Sequence, residues 1–227
     1  MRSGPGAFSP TAGKMPATIA LIAINVVVFI AELAAGGGVG SFSAGGSLIH
    51  DAGVRGPDIA NGDWWRVITG GFLHFGPIHL LFNMMALWVI GRDIEPALGR
   101  ARFLAVYLVS LLGGSAAVML LSPPNAFVAG ASGAVFGLMG ALAVLLRRLR
   151  IPLGQVGGLI VVNLVITFLI PGISIAGHIG GLLTGAIATA ALVYAPAARR
   201  VPVQAAALGG LTVLLLATIA LRVGVMV

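Results

Sequence analysis

Seven apolar runs, at about 17–35, 78–96, 103–121, 132–147, 152–170, 175–195 and 203–225, occupy most of this 227-residue chain. A bilayer core needs about 20 apolar residues per helix, within a range of roughly 17–25. Only helices and closed barrels can cross lipid, because every backbone polar group there must find a partner inside the protein. The runs lack the period-two alternation of barrel strands, so they predict helices. Charged residues make up only 8% of the chain, where a soluble domain carries about 25%. So few charges cannot cover a water-facing surface, and the solvent of this chain is largely lipid. Cysteine is absent, which excludes disulfides and thiolate metal sites.

A net charge of +7 would suggest nucleic acid in a soluble protein. Here the basic residues lie mostly in the gaps between runs, where they report orientation instead. With a cytoplasmic N-terminus, ten face inward (Arg2, Lys14, Arg92, Arg100, Arg102, Arg147, Arg148, Arg150, Arg199 and Arg200) and three outward (Arg55, Arg66 and Arg222). That bias places the N-terminus inside. The first run has no convincing cleavage site after it and is expected to be a retained helix. The connection between the first two runs is long and varied, so part of it is expected to be structured at the outer interface.

In this orientation the second, fourth and sixth runs all begin outside, and their starts hold His79, Asn83, Ser132 and His178. Polar side chains inside a membrane are costly and mark functional sites by default. Gly133 and Gly137 on the fourth run, and Gly177, Gly181 and Gly185 on the sixth, recur every four residues. Small residues at that spacing let two helix backbones approach closely. Close approach is what a serine and a histidine on separate helices require for proton transfer. A serine hydroxyl is a poor nucleophile until a base takes its proton, and His178 can be that base. No acidic residue lies nearby, so the pair is expected to work as a dyad. His79 and Asn83, four apart, share a helix face and can donate hydrogen bonds to a developing oxyanion.

These residues resemble the rhomboid family of intramembrane serine proteases over roughly Ala17 to Tyr194. "GASG" (Gly130 to Gly133) matches the family's GxSG motif with Ser132 as nucleophile, and "HLLFN" matches HxxxN with His79 and Asn83 as oxyanion donors. "GHIGGLLTG" gives His178 the role of general base, while Trp65-Arg66 and "GRDIEPALG" resemble the first-loop pair and the turn after the second helix. Where many members carry a tyrosine one turn after the serine, this chain has Phe136.

The resemblance implies an all-α, polytopic membrane fold, a rhomboid-like six-helix core plus one C-terminal transmembrane helix. The expected divisions are a cytoplasmic tail at 1–16, the protease core at 17–195, and a linker with a seventh helix at 196–227. It also implies cleavage of transmembrane protein segments near their outer end, with Phe136 and Gly130 as candidate substrate-side residues. No cofactor, metal or nucleic acid is expected, and the partners are transmembrane substrates and the bilayer. Two rival readings are a catalytically silent binder of transmembrane clients and a small transporter. Trp64, Trp65 and Arg66 read as an interfacial anchor, His74 as a loop hydrogen-bonder, and His50 as solvated. Glu95 with Arg92 or Arg100 reads as an interfacial ion pair or a helix-end contact.

Overall fold

The computed structural model describes residues 14–36, 47–170 and 172–226. Most of the expected tail over 1–16 and the glycine-rich stretch 37–46 lie outside the described residues. Every apolar run is a helix. α1 spans Pro16–Ala34; the connection after it folds into α2 (Ser47–Ala52), a two-residue strand β1 (Val54–Arg55), α3 (Gly56–Ala60) and α4 (Arg66–Thr69). A 3-10 turn, Gly70–Phe72, leads to α5 (Pro77–Leu98) and α6 (Arg100–Leu121). Strand β2 (Phe127–Val128) precedes α7 (Ser132–Leu149), and α8 (Gly154–Leu169), α9 (Ile175–Val193) and α10 (Arg200–Met226) complete the chain.

Five of these helices are long and apolar enough to cross a membrane: α1, α6, α7, α9 and the segment containing α10. The α4 segment and α5 pass the same test only as a pair, bent by 93°. The all-α, polytopic architecture expected from the sequence is the one observed. The run at 152–170 falls short, because α8 has 16 residues and so reaches about 24 Å at 1.5 Å per residue, against about 30 Å of hydrocarbon. Pro152 and Pro171 flank it in the sequence, and proline lacks the N–H that a continuing helix needs.

Helices α6, α7 and α9 meet at the centre, and glycines set how closely. A Cβ on Gly114 of α6 would stand 3.0 Å from the Gly177 carbonyl oxygen of α9 and 3.5 Å from the Gly133 Cα of α7. On α9, a Cβ at Gly181 would fall on the Gly133 carbonyl, and one at Gly185 on the Gly137 carbonyl. The four-residue glycine spacing therefore does what it predicted for α7 and α9. The third helix at this point, α6 with Gly113-Gly114, was not anticipated.

Of the two readings of Glu95, ion pair or helix-end contact, the structure takes the second. Glu95 is 1% exposed, and its carboxylate accepts from the backbone N–H groups of Ala17 (2.9 Å) and Thr18 (2.7 Å) and from the Thr18 hydroxyl (2.7 Å). A helix leaves its first N–H groups without internal partners, so a carboxylate from α5 caps α1. An acceptor of negative charge is also favoured at that positive end of the helix dipole.

The connection between α1 and α5 is structured, as expected, and its clasp is Arg66. Trp64 and Trp65 are exposed, but Arg66, expected to join them in an interfacial anchor, turns inward and is 6% exposed. Its guanidinium donates to the carbonyls of His50 (2.6 Å) and Gly53 (3.2 Å) and to Asp63 (2.9 Å), with Asp58 at 3.5 Å. Strand β1 pairs antiparallel with β2, Val54 opposite Val128, and the Ser115 hydroxyl of α6 donates to the Val67 carbonyl (2.8 Å). The connection is thereby stitched to the segment that leads into Ser132.

Candidate active site

Ser132 is the first residue of α7 and His178 lies in the first turn of α9. Both line one cleft, together with Gly70 and Gly71 from the α1–α5 connection, Gly114 and Ser115 of α6, Gly130, and Ser174. Gly133 and Gly177, which meet Gly114 where α6, α7 and α9 approach closely, line it as well. The Ser174 hydroxyl caps α9 by accepting from the Gly177 N–H (3.1 Å), which fixes the start of the helix carrying His178.

The imidazole of His178 is buried and held on two sides. Phe136, one turn beyond Ser132, stacks on it with ring centroids 4.1 Å apart and planes inclined by 17°. Its Nδ1 lies 2.7 Å from the Thr167 hydroxyl of α8. Phe136 is itself buried, so its contact here is with the histidine, and the phenyl ring pins the imidazole without a phenolic hydroxyl.

Gly130 brings His79 to the serine. It has φ of +138°, a conformation that side-chain-bearing residues rarely adopt. A Cβ there would stand 2.7 Å from His79 Cε1, 2.9 Å from His79 Nε2 and 3.6 Å from Ser132 Oγ. Only glycine fits, and its absent side chain leaves one small space shared by the His79 ring and the Ser132 hydroxyl. The Gly130 N–H donates to the Gly70 carbonyl (2.8 Å), so the α1–α5 connection holds this turn in place.

His79 is braced by Phe75, stacked at 6.0 Å, and by the edge of His74 at 5.0 Å. Its Nδ1 accepts from the Phe75 backbone N–H (3.4 Å). In a neutral imidazole that accepts at Nδ1, the proton sits on Nε2, and Nε2 is the nitrogen nearer Gly130. The Asn83 side-chain amide donates to the His79 carbonyl on its own helix (3.0 Å). Neither His79 nor Asn83 is among the residues lining the cleft. His74 does make a hydrogen bond, through its backbone N–H to Glu32 of α1 (3.1 Å). His50 is exposed, and its ring leans on Phe127 at 5.5 Å.

The family that this geometry suggests matches the chain directly. The Rhomboid domain family covers residues 61–195, more than half of the 227 residues. The chain belongs to the rhomboid family. It is 38% identical over 186 residues to Rhomboid protease GluP of Bacillus subtilis (strain 168), an alignment covering 79% of this chain and 35% of GluP. It is 36% identical over 132 residues to Putative rhomboid protease YdcA of the same organism, covering 56% of this chain and 66% of YdcA. Against Rhomboid protease AarA of Providencia stuartii it is 27% identical over 218 residues, 83% of this chain and 76% of AarA. The alignments thus span about a third of GluP and about two thirds of YdcA.

Within this rhomboid, two contributors to the site were missed in the sequence. Ser115 ties the α1–α5 connection to α6 at the cleft wall, and Thr167 meets the histidine. The signal for Thr167 was available: it is a polar residue near the end of an apolar run, eleven residues before His178 across a short connection.

Proposed function

We propose that this rhomboid is an intramembrane serine endopeptidase that cleaves transmembrane segments near their outer end by a Ser132–His178 dyad. The observation that carries this reading is that Ser132 and His178, 46 positions apart, line the same cleft with the imidazole pinned between Phe136 and Thr167. His178 takes the Ser132 proton as Oγ attacks the scissile carbonyl, then returns it to the leaving amine. Water hydrolyses the resulting ester with His178 again as base. The scissile bond must be unwound, since a helix hides its carbonyls in backbone bonds, so substrates with small or helix-weakening residues are favoured. The ten-to-three charge bias supports a cleft opening outward.

A fluorophosphonate probe tests both parts. In isolated membranes a permeant probe should label Ser132 covalently, and failure to label would remove the dyad. In intact cells a membrane-impermeant version should label it equally; labelling only after lysis would reverse the orientation.

His79 and Asn83 supply oxyanion stabilisation in this reading, with unequal shares. The His79 ring shares the space at Gly130 with the Ser132 hydroxyl, whereas the Asn83 amide is engaged by the His79 carbonyl. Loss of one oxyanion donor typically costs about 10²–10³ in kcat. His79→Ala is expected near the low end, because the Ser132 backbone N–H and water share the charge, and Asn83→Ala is expected to cost less. Since these interactions strengthen only as charge develops, KM should change little. A lowered melting temperature with an intact kcat in either variant would make that residue a helix tie instead.

A further inference from the structure

Thr167 lies on α8, a helix that contributes no residue to the cleft lining, yet its hydroxyl touches the base. The hydroxyl oxygen stands 2.8 Å from the Asn163 carbonyl oxygen and 2.7 Å from His178 Nδ1. Thr167 is 2% exposed. A hydroxyl owns one proton, and a carbonyl oxygen can only accept. Two oxygens at 2.8 Å without a proton between them would repel, so the threonine proton belongs to the Asn163 carbonyl, one turn back on its own helix. What remains toward the histidine is an oxygen lone pair. His178 Nδ1 must then carry the ring proton and donate it to Thr167. The other nitrogen, Nε2, is left with its lone pair bare, which is the form a general base needs.

We propose that Thr167 is a positioning residue that holds His178 in the Nδ1–H tautomer, the place an aspartate takes in a triad. This rests on the dyad reading above. Unlike a carboxylate, the hydroxyl brings no charge into the membrane and cannot stabilise the imidazolium by charge attraction. It selects the tautomer and fixes the ring's rotation, complementing Phe136, which fixes only its plane. It also joins the chemistry to α8, whose outer turns present Val161, Val162, Val165, Phe168 and Leu169 to the surroundings. A displacement of α8 would release the base's proton partner.

The test uses the full chain in detergent with a fluorophosphonate probe and ¹⁵N-labelled histidine. In the wild type, the His178 ¹⁵N shifts should show a proton on Nδ1. Thr167→Val keeps the shape and removes the oxygen. It should lower the maximal rate of Ser132 phosphonylation about tenfold, the scale of one neutral hydrogen bond acting on a tautomer ratio. The probe concentration for half-maximal rate should be unchanged, and the ¹⁵N pattern should shift to a tautomer mixture. Thr167→Ser should restore both, whereas a purely structural role would alter melting temperature without touching the tautomer. A wild-type His178 protonated on Nε2 would overturn the proposal even if Thr167→Val fails to fold. A labelled wild type with an unaltered Thr167→Val would overturn it alone; an unlabelled wild type would overturn the dyad and the positioning role together.

Discussion

Ser132→Ala is expected to leave a folded protein that no longer cleaves a transmembrane reporter. Removing the nucleophile from a serine hydrolase that acts through a paired base lowers kcat by about 10⁶, which in a membrane assay means no detectable product. The fold should tolerate the change. Ser132 opens α7, where alanine has the higher helix propensity, and the loss of one oxygen leaves the glycine contacts of α6, α7 and α9 intact. The melting temperature should stay within a few degrees of the wild type, measured beside cleavage in the same detergent. Cleavage near the wild-type rate would end the proposed mechanism. His178→Ala should be equally silent, but it leaves the Phe136 ring and the Thr167 hydroxyl facing a void and is the less clean comparison.

The glycine contacts predict a second large effect, on stability and rate together. Gly181→Ala puts a methyl onto the backbone carbonyl of Gly133, and Gly185→Ala puts one onto that of Gly137. Backbone cannot rotate away as a side chain can, so α7 and α9 must separate. Overpacking typically costs about 1–3 kcal/mol, and this obstacle places both variants at the upper end despite alanine's better helix propensity. Gly181 sits one turn from His178 and opposite the residue after Ser132. Separation there displaces nucleophile from base, and a misplacement of about 1 Å can cost about 10² in rate. Gly181→Ala should therefore lose about a hundredfold in kcat along with stability. Gly185→Ala, one turn deeper, should lose stability with a smaller loss of rate. Gly209→Ala on α10, where an added Cβ meets nothing within 4 Å, is the control and should behave as wild type. Equal behaviour of all three would show that the close approach is not required.

How much of this was readable from the chain depends on what each residue pairs with. The helices were legible because lipid imposes one length and one composition on anything that crosses it. The exception, α8, failed where prolines cut a run that hydropathy alone counts as continuous. Ser132, His178 and His79 stood out in the sequence because polar side chains at the ends of apolar helices are few and costly. Glu95 and Arg66 were legible only in outline. Glu95 takes the helix-end contact rather than the ion pair, and Arg66 leaves the expected anchor for Asp63; both also reach backbone groups, the N–H groups of Ala17 and Thr18 and the carbonyls of His50 and Gly53. Every residue carries such groups, so no residue letter announces which will be left over at a helix end or a loop crossing. Thr167 escaped notice because threonine sits easily in apolar helices by bonding back one turn. It does that here as well, and the same oxygen serves the histidine.

The carboxylate cap on α1 also orders events during biosynthesis. The N–H of Ala17 waits for an acceptor 78 residues downstream. At about 5–20 residues per second, the ribosome needs roughly 4–16 s to make that stretch. Throughout that interval the first helix can enter the bilayer but cannot dock, and its leading amides must stay hydrated at the membrane surface. Docking of α1 is thus tied to completion of α5, the helix that also carries His79 and Asn83. A nascent chain arrested before Glu95 would lack the acceptor for the leading amides of its first helix.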